Sequence, residues 1–229
     1  MIPIRDNQLH RYTPLVTWTL IALNVLIFVW DRQGNLFGNS IVFGDLAMRP
    51  KMVLAAIRQP MQDSFPLVTV FTSMFMHGNL MHLIGNMVFL LVFGYGVENA
   101  LGPIRFALYY LAWGVLAAAA HIYVGPDSTI PTLGASGAIG GVLGCYLLLF
   151  PGNKIEMIVP PLFFLPFVVS AWILLGLWFA FQIFLPQEGV ANWAHAGGFL
   201  AGMLTVLVVG GRAAVLKNKE PLQTIDLEA

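Results

Sequence analysis

The sequence predicts an all-α polytopic membrane protein: six transmembrane helices in a compact bundle, with a long first loop lying in the membrane interface. Three observations carry that prediction. Hydrophobic residues fill 58% of the 229 positions and charged residues only 10%. A soluble domain carries roughly 45–50% and about 25%, so this chain lacks the polar surface to coat a globule of its size. Six stretches reach or approach the ~20 mostly apolar residues that a helix needs to cross about 30 Å of hydrocarbon. Finally, 11 basic residues balance 11 acidic ones, which excludes the basic excess of a nucleic-acid binder and the high net charge of a disordered chain.

The six stretches run approximately over residues 13–30, 79–98, 104–125, 136–150, 166–185 and 191–212. The first follows a polar, charged start without a small-residue cleavage site, so it reads as a span and not as a signal peptide. Between it and the second lies loop 31–66, where Leu36, Phe37, Ile41, Val42, Phe43 and the run Met52 to Ile57 are punctuated by charges. That pattern predicts short helices in the interface; a solvated loop would leave too many apolar residues facing water. The second and third spans are continuous apolar runs. The fourth is short, at 15 residues, and Gly134 and Ala135 extend it. Pro160, Pro161 and Pro166 interrupt the approach to the fifth, which therefore starts at the last proline. The sixth ends at Arg212, closing a membrane domain over 1–212, and the polar tail 213–229 is expected to be disordered and cytoplasmic. Cys145 is the single cysteine and lies in an apolar run, so no intrachain disulfide forms.

Orientation follows from the basic residues in the loops. Six spans place both termini on one side, with Arg5, Arg11, Arg105, Lys154, Arg212, Lys217 and Lys219. The other side holds Arg32, Arg49, Lys51 and Arg58, all in the long loop. The split of seven to four puts both termini in the cytoplasm, although the four outer charges need explaining. A compact core of this kind suits a bacterial inner membrane.

Polar side chains inside a bilayer are costly and point to function. Here they are His77, His82, Asn86, Ser136 and His195, with Asn24, His121 and Gln182. Spans two, four and six all run inward from the outer face. His82 and Asn86 occupy the first two turns of span two, Ser136 opens span four, and His195 lies in the first turns of span six. Three segments thus bring polar groups to one level, a few residues below the outer surface.

Ser136 stands in Gly134-Ala135-Ser136-Gly137. At a helix N-terminus it has backbone N–H groups nearby that can hold a developing oxyanion, and flanking glycines such as Gly134 allow close approach of a substrate. Close helix packing explains the same glycines, since Gly137/Gly141, Gly140/Gly144 and Gly198/Gly202 are all spaced as GxxxG. The two uses are compatible. His195 is the histidine that such a serine needs for activation; taken alone, it also fits a hydrogen-bonded structural residue. His82 and Asn86, four apart on one helix face, can both donate to an anionic oxygen, or clamp two helices together. A zinc site of His77, His82 and His195 is disfavoured, because His77 and His82 are five apart with no glutamate between them.

Together these residues resemble the rhomboid family of intramembrane serine proteases. The match lies in the run from Thr72 to Met87, which contains H-x4-H-x3-N, then in Gly134-Ala135-Ser136-Gly137, and in Ala194-His195-Ala196-Gly197-Gly198. Phe93, Gly94, Gly96, Glu98, Gly102 and Arg105-Phe106 resemble the family's connection between its second and third spans. The resemblance covers most of the chain, from the first span to Gly202. It implies a rhomboid-like bundle, with Ser136 as nucleophile and His195 as general base in a dyad. It makes His82, Asn86 and the Ser136 backbone N–H the oxyanion hole, and His77 an auxiliary polar residue near the site mouth. It implies no cofactor and no metal. Its partners would be transmembrane-protein substrates in the lipid bilayer, with no nucleic acid, and the oligomeric state stays open.

Two departures stand out. The family often carries a tyrosine four residues after the serine, packed on the histidine; this chain has Gly140 there. Support for His195 must then come from Trp193 or from another span. Trp30-Asp31-Arg32 also replaces the Trp-Arg pair that many relatives carry in the first loop. Two rival readings remain: a catalytically inactive rhomboid relative that binds membrane-protein clients, and a small transporter. The first would lack the serine or histidine, and the second would spread polar groups over several depths.

Overall fold

The computed structural model describes residues 2–8, 13–38, 40, 43–159, 166–187, 189–217, 224–225 and 227. Pro160, Pro161, Glu188, Ile41, Val42, Arg11 and Lys219 fall outside them. The chain is mostly helical, with a small sheet at one end. In order the elements are β1 (Ile2–Asp6), α1 (Leu15–Asp31), α2 (Phe43–Leu46), α3 (Pro50–Arg58), α4 (Phe65–Thr72), α5 (Leu80–Leu101), α6 (Pro103–Val124), α7 (Ser136–Leu149), β2 (Lys154–Ile158), β3 (Phe167–Ser170), α8 (Ala171–Phe184), α9 (Asn192–Val208) and α10 (Gly211–Leu216). Two helices, α5 and α6, each have 22 residues and are long and apolar enough to cross a membrane; α1, α7, α8 and α9 are apolar but shorter.

The helices and the two clear apolar spans agree with the expected all-α membrane protein, and one small sheet accompanies them. Its order is β1-β2-β3, antiparallel throughout, with Ile155 opposite Val169 and Pro3 opposite Met157. The signal lay in the period of two along Lys154–Ile158, where Ile155 and Met157 are fully buried and alternate with Glu156. For the same reason the fifth helix begins at Ala171 and not at Pro166: the β-branched Val168 and Val169 belong to β3. The tail departs from the expectation too. Gly210 and Gly211, with φ of 101° and 80°, turn the chain into α10, and Gln8 pairs with Thr224 in an antiparallel bridge.

Loop 31–66 carries the short helices expected of it. On α3, Val53 and Ala56 turn inward, and Val53 packs with Met48 and Ala118 of α6, while Met52 and Ile57 are exposed. At the other side of the fold the Glu98 carboxylate, near the C-terminal end of α5, accepts from the Val16 and Thr17 backbone N–H groups and the Thr17 hydroxyl. It thereby caps the start of α1, whose first N–H groups have no helix acceptor. Tyr146 of α7 donates to Asp6 at 2.6 Å and accepts from Asn153 at 3.0 Å. These side chains at this end bond to one another.

α7 is the axis of the bundle. Every residue from Gly137 to Tyr146 is buried, as expected of a helix apolar all round. It packs chiefly on α5, α6 and α9, and against α9 it packs through glycines, without intervening side chains.

Candidate active site

Three helices present their N-terminal ends on one level, opposite the sheet. Asn79, in extended backbone, caps α5 by accepting from the His82 N–H at 2.8 Å. The cap fixes where the helix starts, which puts His82 in its first turn and Asn86 one turn on. α7 begins at Ser136 itself. Before it, Gly134 has φ of 123° and donates its N–H to the Ser73 carbonyl at 2.9 Å, a conformation that favours glycine. α9 begins at Asn192, so His195 lies in its first turn.

His195 Nε2 lies 2.7 Å from Ser136 Oγ. On the other side of the ring, His195 Nδ1 lies 2.8 Å from the side-chain oxygen of Gln182 on α8. Trp178, one turn earlier on α8, stacks on the imidazole with ring centroids 5.9 Å apart and planes inclined at 30°. Trp193 is 43% exposed, and the ring contact on His195 comes from Trp178 instead. Gly140 leaves no room for a tyrosine: a Cβ there would lie 2.7 Å from the His195 carbonyl oxygen and 3.2 Å from the Phe199 nitrogen.

His82 approaches the serine across Gly134. A Cβ on Gly134 would come within 2.7 Å of His82 Nε2 and 3.5 Å of Ser136 Oγ, so glycine lets the imidazole lie against the backbone beside the hydroxyl. Among the described residues the His82 ring makes no hydrogen bond. Asn86 Nδ2 lies 2.9 Å from His77 Nε2; an amide nitrogen only donates, so the His77 nitrogen accepts. Burial, and next the neighbouring His82, pushes His77 down to about 3, which keeps the ring neutral and able to accept. His77 is 1% exposed and stands edge-on to His82 at 5.1 Å. It lies behind Asn86 and steadies that amide, not at the mouth of the site.

Arg32 is the feature that sequence reasoning counted as a loop charge and missed as a strut. It is buried, pairs with Asp31 at 2.9 Å, lies 4.0 Å over the Phe28 ring, and donates to the carbonyls of His77 (3.1 Å) and Gly78 (2.8 Å). One of the four charges of the long loop is thus explained: it holds the segment that leads into α5. Asn24 is buried on α1 and bonds to the Leu20 carbonyl, away from the site. His121 bonds to Thr132 Oγ1 at 3.0 Å. His77, His82 and His195 do not form a ligand cluster; among the described residues no three His, Cys, Asp or Glu side chains are grouped to hold a metal ion.

Ser136 and His195 form the floor of two cavities. One, of about 390 Å³, separates α5 from α8 and is walled by Met81, Phe89, Phe181 and Leu185, with His82, Asn86 and Gln182. The other, of about 600 Å³, opens among the segments that lead into α5, α7 and α9, and its wall includes Asn79, His121, Thr132 and Val190. A nucleophile–base pair, unspent N–H donors at a helix start, and two routes to the same atoms form an arrangement suited to acyl transfer.

The family model of the rhomboid domain matches residues 65–212. Over 209 residues the chain is 33% identical to the Presenilin-associated rhomboid-like protein, mitochondrial, of Homo sapiens, covering 90% of this chain and 51% of that protein. To the Rhomboid protein 1, mitochondrial, of Saccharomyces cerevisiae it is 31% identical over 239 residues, covering 88% and 68%. To the Rhomboid protease GluP of Bacillus subtilis it is 27% identical over 216 residues, covering 94% and 39%. The chain spans about half the length of the first of these relatives. Relatives in mitochondria as well as in a bacterium give the expected bacterial inner membrane no support.

Proposed function

The chain belongs to the rhomboid family of membrane-embedded proteins, and we propose that it is an intramembrane serine endopeptidase that cleaves transmembrane segments of other membrane proteins. The observation that carries this reading is the 2.7 Å contact between His195 Nε2 and Ser136 Oγ at the floor of a cavity. In this mechanism Ser136 Oγ attacks the scissile carbonyl carbon while His195 Nε2 takes the hydroxyl proton. The tetrahedral oxygen is held by the Ser136 backbone N–H with the His82 and Asn86 side chains. Collapse breaks the C–N bond, and His195 returns the proton to the leaving amine. Water, deprotonated by the same nitrogen, then hydrolyses the ester and frees Ser136.

Water must reach a serine at membrane depth. α7 has 14 residues, about 21 Å at the rise of an α-helix, against about 30 Å of hydrocarbon. Its far end meets the sheet, so the shortfall falls at Ser136, beneath the larger cavity. This reading takes α1 and α5 to α9 as six spans in a membrane domain over 1–212. It sets both termini in the cytoplasm and the site opening toward the opposite face. A substrate helix hides its carbonyls in its own hydrogen bonds, so cleavage is expected at small residues near helix-weakening Gly or Pro, close to that outer interface.

The test is fluorophosphonate labelling of purified protein in detergent, beside Ser136→Ala and His195→Ala and with cleavage of a generic transmembrane substrate. Wild type labels and cleaves; both variants fold and do neither. A folded wild type that neither labels nor cleaves would give first place to the inactive, client-binding reading.

A further inference from the structure

We propose that Gln182 is a third, neutral member of the Ser136–His195 pair, a positioning residue whose side-chain oxygen fixes the tautomer and orientation of His195. The proposal deepens the protease reading and rests on it. The geometry settles which atom does what. Gln182 Nε2 lies 3.2 Å from the Trp178 carbonyl, one turn back on its own helix. A carbonyl only accepts, so the amide nitrogen must face it. That leaves Gln182 Oε1 against His195 Nδ1 at 2.8 Å, and an oxygen there requires Nδ1 to carry the proton. The neutral ring then has its lone pair on Nε2, aimed at Ser136 Oγ at 2.7 Å. The backbone of α8 thereby selects, through one amide, the tautomer able to take the serine proton.

The same helix holds the ring by its face. Trp178 and Gln182 are four apart, on one side of α8, and the Trp178 indole lies over the imidazole while the Gln182 amide meets its edge. Gly140 excludes support from α7 at the position where a tyrosine often stands, so α8 supplies both contacts. An amide also suits the setting better than the aspartate of soluble triads. A carboxylate at this depth is costly to desolvate, whereas glutamine stays neutral and still accepts from Nδ1–H. What it forgoes is the charge that would stabilise the imidazolium.

Three variants test the role. Gln182→Leu removes the acceptor at similar bulk; Gln182→Glu, as the neutral acid that its cost of desolvation favours, can donate to the Trp178 carbonyl and accept from Nδ1–H; Ser136→Ala sets the baseline. In detergent, with unfolding midpoints measured alongside, Gln182→Leu lowers kcat about tenfold to a hundredfold, less than the ~10⁴ lost when the charged member of a soluble triad is neutralised. KM stays within about twofold, and Gln182→Glu recovers to within about threefold of wild type. Nitrogen NMR of ¹⁵N-histidine-labelled protein reports the tautomer without reference to activity: His195 Nδ1 is protonated in wild type, and both tautomers populate in Gln182→Leu. A leucine variant with wild-type kcat, or a wild-type His195 protonated at Nε2, overturns the proposal. Failure of the protease reading looks different: wild type then behaves as Ser136→Ala, while the tautomer still reports on the Gln182 bond.

Discussion

α7 and α9 meet backbone to backbone, whereas α5 and α8 face each other across a cavity. A Cβ added to Gly198 would fall on the Gly137 carbonyl oxygen, one on Gly202 on that of Gly141, and one on Gly144 on that of Phe199. Gly85 on α5, which lines that cavity, has nothing within 4 Å of such an atom, and Gly176 on α8 has equally open surroundings away from it. Small residues let membrane helices approach closely and gain dispersion contacts where hydrophobic burial gives no driving force. Ser136 and His195 are first-turn residues of the tight pair, so their separation is set by packed backbone. His82 and Asn86 on α5 and Gln182 on α8 come from the two walls of the cavity, which on the proposed function would admit a substrate. The contrast divides the site into a part whose distance is fixed and a part that has room to receive.

The largest effect expected from breaking this contrast belongs to Gly198→Val. Its side chain would drive α9 off the Gly137 carbonyl, and because that carbonyl is backbone, the helices can only separate. Overpacking costs about 1–3 kcal/mol and occasionally more; against rigid backbone the upper end is expected, and the contact between Ser136 and His195 goes with it. The unfolding midpoint in detergent should fall sharply and fluorophosphonate labelling should vanish. A variant that keeps both would show that the two helices are not in backbone contact.

On the open side, His82→Ala should leave the fold almost untouched and slow the chemistry. The ring lies against Gly134 beside the serine, lines both cavities and makes no hydrogen bond among the described residues, so its donor capacity is unspent. Losing one oxyanion donor raises a barrier by about 2.7–4 kcal/mol, a factor of roughly 10²–10³ in kcat. Labelling rate and kcat should fall together at an unchanged midpoint. A loss below about threefold, far short of that range, would remove His82 from the oxyanion set.

These two halves were not equally legible in the sequence. His82, Asn86, Ser136 and His195 stood out because a polar residue in an apolar run is conspicuous, and helix direction alone put them on one level. Gln182 was as visible a residue, but its bond to His195 was not. Whether it faces α9 depends on the phase of α8, and that phase was hidden by reading Val168 and Val169 as helix when they form β3. Arg32 was misread for a related reason: loop charges are counted by position along the chain, and only the folded structure shows that this one is buried against Asp31 and two carbonyls. The sheet was lost behind prolines that looked like a helix boundary. Local pattern identifies helices and isolated polar groups, while pairings between distant segments need the packing.

The smallest effect belongs to Gly176→Ala on α8. Gly176 sits in the middle of α8, away from the residues that wall either cavity, with free space where a methyl would go. Glycine in a helix interior costs roughly 0.5–1 kcal/mol relative to alanine, because it has more freedom to lose. With no neighbour to meet the new methyl, the substitution should recover that amount and raise the midpoint by about 1–3 °C. Gly198→Val and Gly176→Ala thus change glycine in opposite directions of stability, and the sign follows from what lies within 4 Å. Since α8 carries Trp178 and Gln182, the activity of Gly176→Ala adds a second reading. Unchanged kcat/KM means that a stiffer α8 still holds His195 in place and still admits substrate. Higher stability with a lower kcat would mean that α8 has to bend during turnover, and a fall in stability would contradict the open space itself.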